Sequence, residues 1–242
     1  MSDIVEASNL EALKRRLTGV WEDLLANSRF VRIIQQGEVT KALYALYMIE
    51  TYHYTRHNAR NHALVGVRTP EDDRQYQKFC FTHAAEEVGH EQMALHDVVS
   101  LGFTPGQELP IPSPLPATEV LIGYLYWISY QGNPLQRLGY SYWAESCYEY
   151  IRPLMGKVQK KLGLTPAQMT FFVAHADIDA EHSRLVDEMI TKKCKTPQDW
   201  EDVARVMETS LRLTWRMMDE VVDAYTLFVE GKSERAAFLR AL

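Results

Sequence analysis

The chain has 242 residues, of which 46% are hydrophobic and 24% charged, the make-up of an ordinary globular protein rather than a disordered or collagen-like one. Its formal net charge is −6, and no basic stripe runs along it, which argues against a nucleic-acid binder. Three scattered cysteines, Cys80, Cys147 and Cys194, form no CxxC pair, so neither a disulfide framework nor a thiolate zinc site is expected. The N-terminal residues lack the apolar core of a secretory signal, and VLIGYLYWISY is too short to span a bilayer. A cytoplasmic protein with no membrane partner is the expectation.

In chain order the sequence reads as helix after helix. Apolar residues recur at three- and four-residue spacing, and no segment keeps two-residue alternation. About seven helices are expected, over 9–26, 40–66, 71–101, 117–131, 133–162, 166–193 and 197–230, with a short turn near 28–36. Ser8 with Glu11 reads as a capping box. Thr69-Pro70, Asn133-Pro134, Thr165-Pro166 and Thr196-Pro197 each place a cap residue before a proline in the first turn. Gly37, Gly102, Gly132, Gly163 and Gly231 mark helix ends. Half of the ten prolines fall in FTPGQELPIPSPLPATE, read as an ordered loop over 103–117 that crosses a helical bundle. The expectation is a single all-α domain over 1–242, with 232–242 as a short helix or a loose tail.

Two of these helices carry histidine and carboxylate together. In HAAEEVGHEQMALHD, Glu87 and His90 are three apart, and His83 and Glu86 lie near the same face. In HADIDAEHSRLVDE, His175, Asp179 and His182 fall at about 0°, 40° and −20° around the helix, nearly one line. Asp177 and Glu181 fall on the far, solvated side. Between the two helices, Glu145 sits in GYSYWAESCYEYI, where an unpaired carboxylate would be costly to bury. Imidazole and carboxylate in this mixture suit iron or manganese. Three histidines and three carboxylates are enough for two ions inside a helical bundle.

The pattern Glu87-x-x-His90, Glu145, His175-x-x-x-Asp179-x-x-His182 resembles the heme-oxygenase-like di-iron oxidases, including the terminal-alkene-forming fatty-acid decarboxylases. The segment GEVTKALYALYMIETYHY resembles the chlamydial death-domain-associated branch of the same superfamily. That branch has a histidine where Met93 stands here. The resemblance implies a heme-oxygenase-like bundle of the TenA/PqqC type. It implies two Fe(II) ions held by Glu87 (or its neighbour Glu86), His90, Glu145, His175, Asp179 and His182, with Glu145 a bridge. Glu87, Glu145 and Asp179 are then the expected catalytic carboxylates, and dioxygen is the co-substrate. The substrate is a small organic molecule, with fatty acids, amino acids and aromatic amines all compatible. A homodimer is compatible too.

Three rivals stand beside this reading, the third without positive support in the sequence. A ferritin-like bundle would use Glu50, Glu87-x-x-His90, Glu145 and Asp179-x-x-His182. A metal-free hydrolase resembling the thiaminase-II proteins would use Cys147, although the surrounding motif differs. A non-catalytic protein would retain only the fold. His53 and His57, beside Arg56 and Arg60, read as a polar helix face, or as a clamp for a substrate carboxylate. Tyr47 aligns with a redox-relevant tyrosine region of the chlamydial branch, and that resemblance implies a role in radical transfer. Tyr124, Tyr126, Trp127, Tyr130, Tyr142, Trp143, Tyr148 and Tyr150 are expected mostly in the core, with a few lining a pocket.

Overall fold

The structure is a computed structural model. It describes the backbone over 2–242 and the side chains over 8–173 and 182–242. Ten α-helices and three short 3-10 turns make up the described chain, which contains no strand. The helices are α1 (Ser2–Asn27), α2 (Arg29–Gln36), α3 (Lys41–Thr55), α4 (Asn58–Arg68), α5 (Arg74–Glu86), α6 (His90–Ser100), α7 (Pro116–Tyr130), α8 (Leu138–Leu162), α9 (Thr170–Lys193) and α10 (Pro197–Val229).

Local chemistry explains most of the boundaries. Thr40 caps α3 by accepting from the Leu43 N–H at 3.1 Å, and Thr196 with Asp199 forms a capping box on α10. All five glycines expected to stop helices have positive φ. Ser8, however, lies inside α1, so its pairing with Glu11 is no helix start. Thr69 ends α4 instead of starting the next helix. A residue before proline is pushed to extended backbone, and Thr69 has ψ 134°. The chain then turns, and Asp73 caps α5 by accepting from the Tyr76 N–H at 3.1 Å.

Two expected long helices are broken. The one over 40–66 divides between α3 and α4 at Arg56–His57. Just before the break, the Thr51 and Thr55 hydroxyls donate to the carbonyls of Tyr47 and Thr51, at 3.0 and 2.7 Å. Such back-bonding bends helices. The one over 71–101 divides between α5 and α6, where Gly89 adopts φ 95°. Glu87 therefore ends α5 and His90 begins α6, so this motif does not share one continuous helix face.

The core forms around α10, which packs against α1, α3, α7 and α8. The crossing with α8 is close because position 139 is glycine. A Cβ there would lie 2.1 Å from the Val203 carbonyl oxygen. Trp143 on α8 donates its indole N–H to Ser210 Oγ on α10 at 2.8 Å.

The proline-rich stretch is tied down on both sides. His53 Nε2 contacts the Pro112 carbonyl at 2.8 Å, and the Leu115 N–H donates to Glu50 Oε2 at 2.9 Å. The C-terminal residues form a docked 3-10 turn, Ala237–Ala241, with Leu239 buried. No described helix is long and apolar enough to cross a membrane.

Candidate metal centre

Helices α4, α5, α8 and α9 bring the ionisable groups together. Asp97 on α6 fixes the start of α9. It is fully buried and accepts from the Thr170 N–H and hydroxyl, both at 2.7 Å, and from the Phe171 N–H at 3.1 Å. At the far end, Lys193 pairs with Asp73 at 2.6 Å, tying α9 to the cap of α5. Between these anchors, His182 faces α5 and α8.

At the centre stands Glu145, 8% exposed. Its Oε1 lies 3.0 Å from His83 Nε2, and its Oε2 lies 3.4 Å from His182 Nδ1. One donor atom from each of these three residues lies within 4.8 Å of the others. His182 Nε2 is 3.5 Å from Glu86 Oε2. Next to this cluster, His90 Nδ1 is 3.7 Å from Glu87 Oε1, while Asn58 donates to Glu87 Oε2 at 3.4 Å. Asn58 in turn accepts from the Tyr140 hydroxyl at 3.2 Å, and the Arg137 guanidinium lies over the Tyr140 ring.

The structure thus joins Glu145 and His182 to His83, which is absent from the expected ligand set. Glu87 and His90 form a neighbouring pair. Glu86 faces His182, while Glu87 faces His90 and the interior. The side chains of His175 and Asp179, like those of Asp177 and Glu181, lie outside the described residues; His175 and Asp179 share α9 with His182. The only sequence signal for His83 was its place three residues before Glu86, on the face already in view. His62 had no signal. It is fully buried on α4 and meets His83 Nδ1 to Nδ1 at 3.0 Å.

Electrostatics couple the cluster. Burial pushes the Glu145 carboxyl up, but the close imidazoles of His182 and His83 outweigh it and hold it at about 2. The same contact with Glu145 raises His182. Burial also pushes Glu87 up; its contact with His90 overcomes this and lowers it, while the Glu145 charge works against it. Burial drives His62 well down, helped by Arg137 and His83.

These residues fit a divalent metal. Two ionised carboxylates, Glu87 and Glu145, are buried within range of mutual repulsion, which a cation would relieve. His83 Nε2 is buried beside Glu145 but out of line for a hydrogen bond, as a donor aimed at a shared third atom would be. The donors are nitrogen and oxygen, the set that suits iron or manganese.

Glu50 is engaged elsewhere. It accepts from Thr118 Oγ1 at 2.6 Å and lies 3.6 Å from an Arg235 nitrogen, so the ferritin-like ligand scheme loses its first carboxylate. His53 is buried against Pro112, and His57 Nδ1 meets the Tyr126 hydroxyl at 3.0 Å. Neither histidine therefore belongs to an open polar face. On the inner side of the cluster, Glu87, His90 and Glu145 line a cavity of about 100 Å³ whose wall includes Tyr47, Trp143, Cys147 and Tyr148. On the outer side, His83, Glu86 and His182 line an open groove with Lys78. Trp127 and Tyr130 are exposed, not core.

The helical architecture and the mostly buried His–Glu–His cluster define an all-α protein with a candidate metal site. The comparisons agree. The family of iron-containing redox enzymes matches residues 45–215, and the chain belongs to that family. It is 50% identical to a domain of unknown function with a heme oxygenase-like fold from Shewanella denitrificans, with TM-score 0.87 over 93% of this chain and 97% of that one. A TenA homologue from P. horikoshii superimposes with TM-score 0.68 at 13% identity, covering 88% and 97% of the two chains. One from Pyrococcus furiosus gives 0.65 at 14% identity, covering 88% and 99%. These last two show a shared fold. No curated protein matches the chain.

Proposed function

We propose that the protein is a non-heme di-iron oxidase or oxygenase that uses dioxygen to oxidise a small organic substrate. The observation that carries this reading is the buried convergence of His83, Glu145 and His182, with Glu86, Glu87 and His90 around it. Glu87, His90, Glu145, His175, Asp179 and His182 are the residues proposed to hold two irons, and the geometry adds His83 as a further donor. Bound ferrous iron would supply the electrons and open coordination positions that dioxygen chemistry needs.

The chain's own residues do the rest. Glu145 joins α8 to both His83 on α5 and His182 on α9, so it sets the spacing of three helices around one point. Asn58 and Tyr140 orient Glu87 through consecutive hydrogen bonds. Aromatic walls exclude bulk water from the inner side, which strengthens every charge interaction there. When a metal binds, His182 gives up any proton it carries, and the outer groove that it lines gives that proton a way to solvent.

Oxygen uptake by the Fe(II)-loaded protein tests the proposal. Wild type should consume dioxygen well above a free-iron control, and Glu145→Ala should fall to that control. Equal uptake by the two would overturn it. A second reading rests on the place of Cys147 in the cavity wall: a metal-free hydrolase with Cys147 as nucleophile. Cys147→Ala separates the two, because it should spare oxygen uptake and abolish any such hydrolysis.

A further inference from the structure

Four aromatic rings form a continuous file from the metal cluster toward the surface. Tyr140 on α8 reaches the cluster at one end, because its hydroxyl donates to Asn58 and Asn58 donates to Glu87. Tyr140 meets Trp143 edge to face, with ring centroids 5.2 Å apart. Trp143 meets Trp21 of α1 at 6.3 Å, and Trp21 stacks on Tyr150 at 5.0 Å with 10° between the planes. Tyr150 is half-buried, and its hydroxyl lies 3.3 Å from that of Thr18, which is half-buried too. Edge-to-face and stacked contacts are ordinary packing. This file differs in composition: each of its rings is an indole or a phenol, the side chains that give up an electron most readily. Tyr47, by contrast, has described ring contacts with Phe30 and Phe172, which do not.

Proton partners give the file a direction. The Trp143 indole N–H is held by Ser210 Oγ, which itself donates to the Val206 carbonyl and is no base. Trp21 Nε1 is buried and meets no acceptor. An electron vacancy on either indole therefore stays as an unpaired positive charge in a buried place, which is costly. The Tyr140 hydroxyl donates to an amide oxygen, which does not take a proton. Tyr150 stands at the rim, beside the Thr18 hydroxyl. It is the one ring of the four placed to lose an electron and pass its phenolic proton to water.

We propose that Tyr140, Trp143, Trp21 and Tyr150 form an electron path that discharges the oxidised centre when no substrate is bound. The inference rests on the oxidase reading and adds a protective step to it. Trp143, which lines the inner cavity together with Glu87 and Glu145, or Tyr140 beside it, gives one electron to the centre. The vacancy passes to Trp21 and then to Tyr150. Tyr150 releases its phenolic proton to solvent and becomes a neutral tyrosyl radical, while the centre is reduced by one electron. A small diffusible reductant of the enediol class, such as ascorbate, then returns one electron and one proton to Tyr150. The path spares the buried ligands from oxidation, one of the competing reactions that a protein around a redox metal has to suppress.

Laser-flash photo-oxidation of tryptophan in the metal-free, full-length protein tests the path without iron. The background is Trp127→Phe, because exposed Trp127 contacts Tyr124 at 6.1 Å and would report a transfer of its own. On that background the tryptophan radical should decay as a tyrosyl radical appears. Tyr150→Phe should remove most of the tyrosyl yield. Trp21→Phe should do the same, and Trp21→Tyr, which puts back an oxidisable ring, should restore it. A tyrosyl yield unchanged by Tyr150→Phe or by Trp21→Phe, or no tyrosyl radical in the background, would overturn the path. The Fe(II)-loaded protein, mixed with dioxygen without substrate and freeze-quenched, tests its use. Electron paramagnetic resonance should then show a tyrosyl radical that Tyr150→Phe removes and ascorbate bleaches. Oxygen uptake with no such radical would overturn the protective role. Absence of oxygen uptake would count against the oxidase reading alone, because the flash experiment decides the path by itself.

Discussion

His62 and His83 face each other through their Nδ1 atoms at 3.0 Å, inside the contact between α4 and α5. One of the two must donate and the other accept. If His83 Nε2 is to coordinate a metal, the His83 proton sits on Nδ1 and goes to His62. Burial keeps His62 neutral, which is what an acceptor requires. Outer partners of this kind typically change metal affinity by about 10–100-fold. His62→Phe should weaken metal binding by about that factor while circular dichroism stays helical. His62→Asn, which keeps an acceptor, should recover part of the loss. Unchanged affinity in His62→Phe would show that the pair does not orient a ligand.

Proton linkage gives the metal-free protein a defined stability window. Glu145 is held low, so its contribution is present above about pH 4.5 and is lost as pH falls toward about 2. His182 is raised, so its contribution is full below about pH 6.5 and is lost as pH rises through its folded value. Melting temperature of the metal-free form should therefore peak between those limits and fall on the alkaline side. Metal affinity should move the other way and increase with pH, because coordination takes neutral imidazole. A chelated sample whose melting temperature rises from pH 6.5 to 9 would contradict the linkage.

Asp97 is the anchor of α9. Its carboxylate receives two backbone N–H groups and a hydroxyl from the first residues of that helix. Asp97→Ala should cost about 2–3 kcal/mol in chemical denaturation. It should also lower metal occupancy, since His182 rides on the helix it fixes. A variant with normal stability would remove this anchoring role.

Gly139 tests the packing without touching the centre's ligands. A methyl group there collides with the backbone of α10, 2.1 Å from Val203 O and 2.7 Å from Met207 N. Gly139→Ala should cost about 3 kcal/mol or more and lower the melting temperature by roughly 6–12 °C. A shift below 2 °C would mean that the two helices part easily.

Much of the fold was legible because helix signals are local. Capping residues, prolines in the first turn and terminal glycines act within four residues of each boundary, and Thr40, Thr196, Gly37 and Gly163 behave as their neighbours dictate. The two breaks were not legible. Thr51 and Thr55 do not announce back-bonding, and Gly89 inside an otherwise helical pattern reads as a tolerated glycine. For the site, periodicity identified His182 as a candidate, and the cost of burying a lone carboxylate among aromatic residues identified Glu145. Periodicity missed His83 and His62 because their value comes from contacts across helices. Asp97 was hidden for the same reason, as a cap supplied by a distant helix.

The most direct test of the central claim is iron stoichiometry after anaerobic Fe(II) loading and desalting. Wild type should retain about two irons per chain, the loading expected of a dimetal carboxylate bundle. Substitution of Glu145 or His182 by Ala should remove most of it with the helical signal intact. A wild-type protein that retains no iron, or an iron content indifferent to both substitutions, would contradict the account.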